Sequence, residues 1–207
     1  MKNAFILTLA LSFAALNTGC ASNMTVYMPP QQQMAANEFY SVTLPQDTQT
    51  VHNKIQEVMK NFPWLQKSGS GTYSGQVADA AQYVDCGKLT TYTPLTTAGH
   101  GVLNYAAPKS NFMGESSADE LTTSLAVTLH IDVAPVPGGS KVTVTADYTL
   151  NREHIERRSM FGIESRPPAK NTPISFDTLM PGSSADGIQC QAKLSLERSI
   201  INAISEK

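Results

Sequence analysis

The chain has 207 residues, 41% hydrophobic and 15% charged, with 15 Lys and Arg against 17 Asp and Glu for a formal net charge of −2. That length and apolar share suffice for one domain with a sizeable core. No strongly basic stripe is present, which argues against nucleic acid as a partner.

The first segment carries one positive charge, Lys2, ahead of an almost unbroken apolar run over residues 4–16. The run is too short to cross a bilayer, which takes about 20 apolar residues as a helix. A charged start, an apolar stretch and small residues before a cut site are the layout of a secretory signal peptide, so residues 1–19 are set aside from the fold. The next residues, Leu16-Asn17-Thr18-Gly19-Cys20-Ala21-Ser22, resemble the lipobox of bacterial lipoproteins, with Asn17 where that pattern usually has an apolar residue. The resemblance implies a lipid on Cys20, which becomes the mature N-terminus and anchors the chain to a membrane through more than one acyl chain. Ala21 in place of an aspartate after the cysteine implies sorting to the outer membrane, with the domain periplasmic or surface-exposed. The plainer alternative is an ordinary signal peptide cut near Gly19 or Ala21.

Of three cysteines, a lipidated Cys20 leaves Cys86 and Cys190 as an even pair in an oxidising compartment, where disulfides persist. Two separate buried thiols and a two-cysteine metal site are the alternatives, and the second lacks Cys-x-x-Cys or Cys/His spacing.

Residues 20–38 read as the lipidated N-terminus and a flexible tether. From residue 22 on, Tyr27-Met28-Pro29-Pro30 and Gln31-Gln32-Gln33 show neither helical nor strand period. A coil of that length would roam some 20–25 Å; the alternative is that part of it pairs with a sheet edge. A single domain then occupies residues 39–207. Phe39-Tyr40-Ser41-Val42-Thr43-Leu44, closed by Pro45, predicts a first strand. Asp47 stands as an N-cap, and Val51, Ile55, Val58, Met59 and Phe62 recur at three- and four-residue spacing until Pro63, which predicts a helix over 48–61.

Residues 71–77 and 82–92, rich in Thr, Tyr and Val, read as two strands with Cys86 on the second. The clearest pattern follows: Leu125, Val127, Leu129, Ile131 and Val133 alternate with Thr128, His130 and Asp132, a half-buried strand. Residues 135–140 turn the chain, and Val142, Val144, Ala146, Tyr148 and Leu150 alternate in the same way, which predicts a long antiparallel hairpin. Inward residues must face inward partners, so paired positions sum to about 275 or 277. The polar face then carries Thr128, His130, Asp132, Thr143, Thr145 and Asp147, with His130 directly or diagonally across from Asp147. That face is either a small polar site or an ordinary solvated surface.

Residues 153–189 begin dense in charge and continue with little period; only Pro173-Ile174-Ser175-Phe176-Asp177 reads as a strand. From Gln191, Leu194, Leu196, Ile200, Ile201, Ala203 and Ile204 share a broad face with Glu197, Arg198, Glu206 and Lys207 opposite, which predicts a closing amphipathic helix. The order of elements gives an α+β, two-layer layout, an antiparallel sheet packed by an N-terminal and a C-terminal helix. That order resembles the helix-grip modules of bacterial outer-membrane lipoproteins such as BamC.

No Gly-x-Ser-x-Gly, His-Glu-x-x-His, phosphate loop or Ca²⁺ loop occurs, so no catalytic residue, metal or cofactor is expected. His52, His100, His130 and His154 are scattered. His154 with Glu153, Glu156 and Asp147 could be assembled into a site on paper, and a solvated charged segment is the plainer reading. Two segments are candidates for recognition. The long loop over residues 94–120 holds Tyr105 and Phe112, and Arg157-Arg158-Ser159-Met160-Phe161-Gly162-Ile163 sets Met160 and Phe161 beside cations. Either could instead pack on the domain. The expected function is non-enzymatic: a membrane-anchored envelope lipoprotein that binds an envelope protein partner as an accessory of an assembly or transport complex. The alternative is a carrier holding a lipid or other apolar ligand between sheet and helices, and an enzyme built around His130 or His154 ranks third.

Overall fold

The alternation through residues 121–150 does form a hairpin, and the hairpin outruns the alternation. A computed structural model describes residues 24–31, 39–92, 97–104, 108–110, 116–160, 163–165 and 170–206 as an α+β arrangement of antiparallel sheets and two helices. In chain order the elements are β1 (Met24–Met28), β2 (Ser41–Leu44), α1 (Thr48–Met59), β3 (Leu65–Gly69), β4 (Thr72–Val77), β5 (Val84–Asp85), β6 (Lys88–Tyr92), β7 (Thr97–Gly101) and β8 (Pro108–Ser110). They continue with β9 (Ser116–Val136), β10 (Gly139–Met160), β11 (Ile163–Ser165), β12 (Lys170–Asn171), β13 (Ile174–Asp177), β14 (Gly182–Ser183), β15 (Gln189–Ala192) and α2 (Ser195–Ser205).

Strands β9 and β10 are 21 and 22 residues long, so the hairpin extends for about 70 Å at 3.3–3.4 Å per residue. Its register pairs Gly139 with Val136 and Thr145 with His130, the lower of the two expected sums. The chain reverses at Pro137-Gly138, where Gly138 has φ +85, the Pro-then-Gly order of a type II turn. Along the free side of β9 lie β4, followed by β3, and β8; along that of β10 lie β2, β13, β12 and β11. Two smaller sheets, β1-β6-β7 and β14-β15-β5, complete the described part.

One face of the hairpin supplies the core. Leu125, Val127, Leu129, Ile131, Val142, Val144, Ala146, Tyr148 and Leu150 are all buried and belong to one cluster with residues of both helices. Helix α1 starts where expected: the Asp47 Oδ1 atom accepts from the Thr50 N–H at 2.9 Å. Its buried residues, Val51, Ile55, Val58 and Met59, form the i, i+4, i+7, i+8 stripe of a helix packed on one side. Helix α1 touches β9, β10 and α2, and α2 touches β10 and β2.

Four expectations are corrected. The segment expected to be a tether contains β1, paired with β6 from Met24↔Tyr92 to Met28↔Lys88. Cys86 lies between β5 and β6 rather than on one continuous strand. The long loop over 94–120 contains β7, a 3₁₀ turn at Val102–Asn104, β8 and the start of β9, with Val102 and Leu103 buried in the core. The charged segment from residue 153 continues β10 to Met160, because backbone pairing with Ser116–Thr122 needs no apolar alternation.

Strand β2 packs so closely on the start of β10 that a Cβ at Gly139 would lie 1.9 Å from the Leu44 carbonyl oxygen. Backbone on both sides cannot yield as a flexible side chain would. Gly139→Ala is therefore expected to destabilise by roughly 1–3 kcal/mol through overpacking. Urea unfolding checks this, and an unchanged midpoint would refute the close approach.

Candidate functional site

Of the residues singled out from the sequence, Cys20, Tyr105, Phe112 and Phe161 lie outside the described residues. Met160 closes β10 opposite Ile163, and its side chain is outside the description as well. Cys86 and Cys190 come together with their sulfurs at bonding distance, 1.98 Å, both nearly fully buried. The carbonyl of Cys86 and the backbone of Gln189, the residue before Cys190, are joined to the N-terminal segment through one side chain. The Tyr27 hydroxyl lies 3.1 Å from the Cys86 and Gln189 carbonyl oxygens, and it accepts from the Gln189 N–H at 2.9 Å. The Gln191 amide donates to the Gln31 carbonyl.

The polar sheet face is as expected. His130 Nε2 lies 3.1 Å from Asp147 Oδ2, diagonally across the hairpin, and both side chains are exposed at 43% and 67%. A pair so hydrated contributes little to stability. The paper site of His154 with Asp147 does not form, because the two are seven positions apart on one extended strand, about 23 Å. At the far end of the same face, Thr122, Thr123 and Ser124 of β9, Asn151 and Glu153 of β10 and Asn171 of β12 line an open depression of about 440 Å³. Among the described residues its walls offer the hydroxyls of Thr122, Thr123 and Ser124, the amides of Asn151 and Asn171 and the carboxylate of Glu153.

A second feature escaped the sequence reading. Between β13 and β14 the Asp177 Oδ1 atom accepts from the backbone N–H groups of Leu179, at 2.7 Å, and Met180, at 2.8 Å. This Asx-type cap closes a turn that holds Leu179 and Met180 out in solvent, 55% and 65% exposed. Within Asp177-Thr178-Leu179-Met180-Pro181-Gly182, the Asp at the turn's start and the Pro-Gly at its end were the available signal.

The turn is fastened from below. Thr178 Oγ1 accepts from the Ala146 N–H at 2.6 Å, and the Thr178 N–H donates to the Ala146 carbonyl at 3.0 Å. The single Thr178 hydroxyl proton goes to Glu197 Oε1 at 2.8 Å, since its other acceptor, the Ala146 carbonyl, is at 3.2 Å. The Tyr148 hydroxyl donates to the same carboxylate oxygen at 2.9 Å. Tyr148 in turn stacks on Phe176, ring centroids 5.3 Å apart.

Glu197 was expected on the solvated side of the last helix; it is fully buried instead, a correction. Among the described residues its Oε2 atom has no hydrogen-bond partner. Burial raises its carboxyl above the usual glutamate range, against the lowering effect of its hydrogen bonds. Burial also pushes the Tyr148 hydroxyl well above its ordinary value, with the Glu197 carboxylate adding to the effect. Sheet, last helix and exposed turn thus meet at one buried polar cluster.

Comparison with protein-family models, with curated proteins and with solved structures returns no match for this chain.

Proposed function

We propose that this chain is a non-enzymatic lipoprotein of the bacterial envelope, anchored through Cys20 in the outer membrane, whose domain holds an envelope protein partner at the Leu179–Met180 turn. One observation carries the partner surface: two adjacent large apolar side chains are exposed on a turn fixed by Asp177 above and by Thr178 and Glu197 below. Single exposed apolar residues are ordinary, whereas an adjacent pair on a turn whose backbone is already fixed has only side-chain freedom left to lose when a partner covers it.

In this reading α1 and α2 form one layer over the apolar face of the main sheet, a helix-grip-like arrangement that leaves the polar face and the turn free. The carrier alternative needs space between those layers. Leu129, Leu150, Ile200 and Ile204, at 0% exposure, lie in one continuous buried cluster there, which weighs against it. The net charge of −2 gives no purchase on nucleic acid.

A photo-crosslinking residue at position 179 in intact cells is expected to capture one envelope protein. Capture should fall several-fold when Met180→Ser is added, with thermal unfolding of the variant unchanged. Crosslinking of the same protein, undiminished, from a probe on the polar face at Thr145 would move the interface away from the turn.

A further inference from the structure

Only three residues, Ala21, Ser22 and Asn23, separate Cys20 from the start of β1. Four chain steps span at most about 14 Å even when fully extended. Strand β1 is fixed at its other end as well, by its five-residue register with β6, by Tyr27 at Cys86 and Gln189, and by Gln31 at Gln191. Freedom to stand off the membrane is therefore confined to those four steps. The connection from β1 to β2 runs between two elements of the domain and adds no reach.

From this we infer that the Met24–Tyr92–Thr97 end of the β1-β6-β7 sheet is a membrane-facing edge, seated against the phospholipid surface and fixing the orientation of the domain. The inference rests on the lipid anchor at Cys20 proposed above. The register defines the edge: Met24 pairs with Tyr92 and Tyr92 with Thr97, so all three strands end together there. At the other end Met28 pairs with Lys88 and Lys88 with Gly101. That end lies about 13 Å further along the strands, next to the disulfide.

Charge does not oppose a lipid surface as the occupant. No Asp or Glu occurs in residues 1–37 or 86–114, which include all of β1, β6 and β7, although the chain contains 17 of them. The ionisable residues of this sheet are Lys88 and His100 with Tyr27 and Tyr92, so nothing in it repels anionic headgroups.

The test uses the mature, full-length protein in vesicles of phosphatidylethanolamine and phosphatidylglycerol doped with headgroup-nitroxide lipid. A fluorescent amino acid is placed at Tyr92 or at Met28, and intact mass establishes first that Cys20 carries the lipid. Quenching is expected to be several-fold stronger at Tyr92 than at Met28, and a long Gly/Ser insert between Asn23 and Met24 should abolish the difference. Equal quenching at both positions in the lipidated, uninserted protein would overturn the seated edge while leaving the anchor standing. A mass lacking the lipid would instead remove the anchor, and the edge with it.

Discussion

Replacing Cys86 and Cys190 together by alanine is expected to produce the largest loss of stability of any change considered. The bond closes a sequence separation of 104 residues. In the chain-entropy account a loop of about 100 residues contributes up to about 4.7 kcal/mol by restricting the unfolded chain. That is a large share of the 5–15 kcal/mol by which domains are stable. The local consequence follows from Tyr27, which rests on the Cys86 carbonyl and on Gln189: without the bond, β5, β15 and β1 lose their common fixture. Urea unfolding with and without a thiol reductant separates the bond from the side chains. Reductant should shift the wild-type midpoint strongly downward and leave the double-alanine variant unmoved. A wild-type midpoint insensitive to complete reduction would show that the closure contributes nothing.

What the sequence made legible follows a physical division. Leu125, Val127, Leu129 and their partners on β10 were readable because one face of the hairpin is buried, and burial imposes a period of two. Residues 153–160 and Met24–Met28 carry no such imprint, since their strands are defined by backbone pairing and, for β1, by the Tyr27 hydroxyl. The partners of β1 lie 60 to 68 residues away, beyond any local pattern. Glu197 differs, because the signal was present and charge overrode it. Glu197, Ile200, Ile201 and Ile204 are spaced i, i+3, i+4, i+7, so helical geometry alone puts the carboxylate on the buried stripe. Polar partners that accept a buried acid, Tyr148 and Thr178, are 49 and 19 residues away, and neither announces itself as such in sequence. The exposed turn was missed for the complementary reason. A pair of apolar residues normally signals burial, and only the Asp177 cap shows why Leu179 and Met180 point outward.

Glu197→Gln and Glu197→Ala are expected to act in opposite senses, and the contrast tests the buried cluster. The glutamine keeps an oxygen to accept from Tyr148 and Thr178 and removes the titrating charge. The alanine leaves the Tyr148 hydroxyl a buried donor without its acceptor, at a cost of about 1–3 kcal/mol before the cavity is counted. Thr178 suffers less, because its proton can turn to the Ala146 carbonyl at 3.2 Å. The pH dependence has a definite sign. Burial raises the folded-state carboxyl of Glu197 above the ordinary value of 4.5, so folding favours its protonated form. Its contribution is fully present below 4.5 and is lost as pH rises through the raised folded value. The stability of the glutamine variant relative to wild type should therefore be flat below 4.5 and climb in the variant's favour above it. Urea midpoints for the two proteins across that interval measure the difference with every other titration cancelled. A difference constant up to neutral pH would mean that Glu197 titrates as an exposed acid does, and that water reaches the cluster. A climbing difference would leave a buried acid, held by Tyr148 and Thr178, as the foundation on which the Leu179–Met180 turn stands. Loosening it should then speed amide exchange first at the Thr178 and Ala146 pairing.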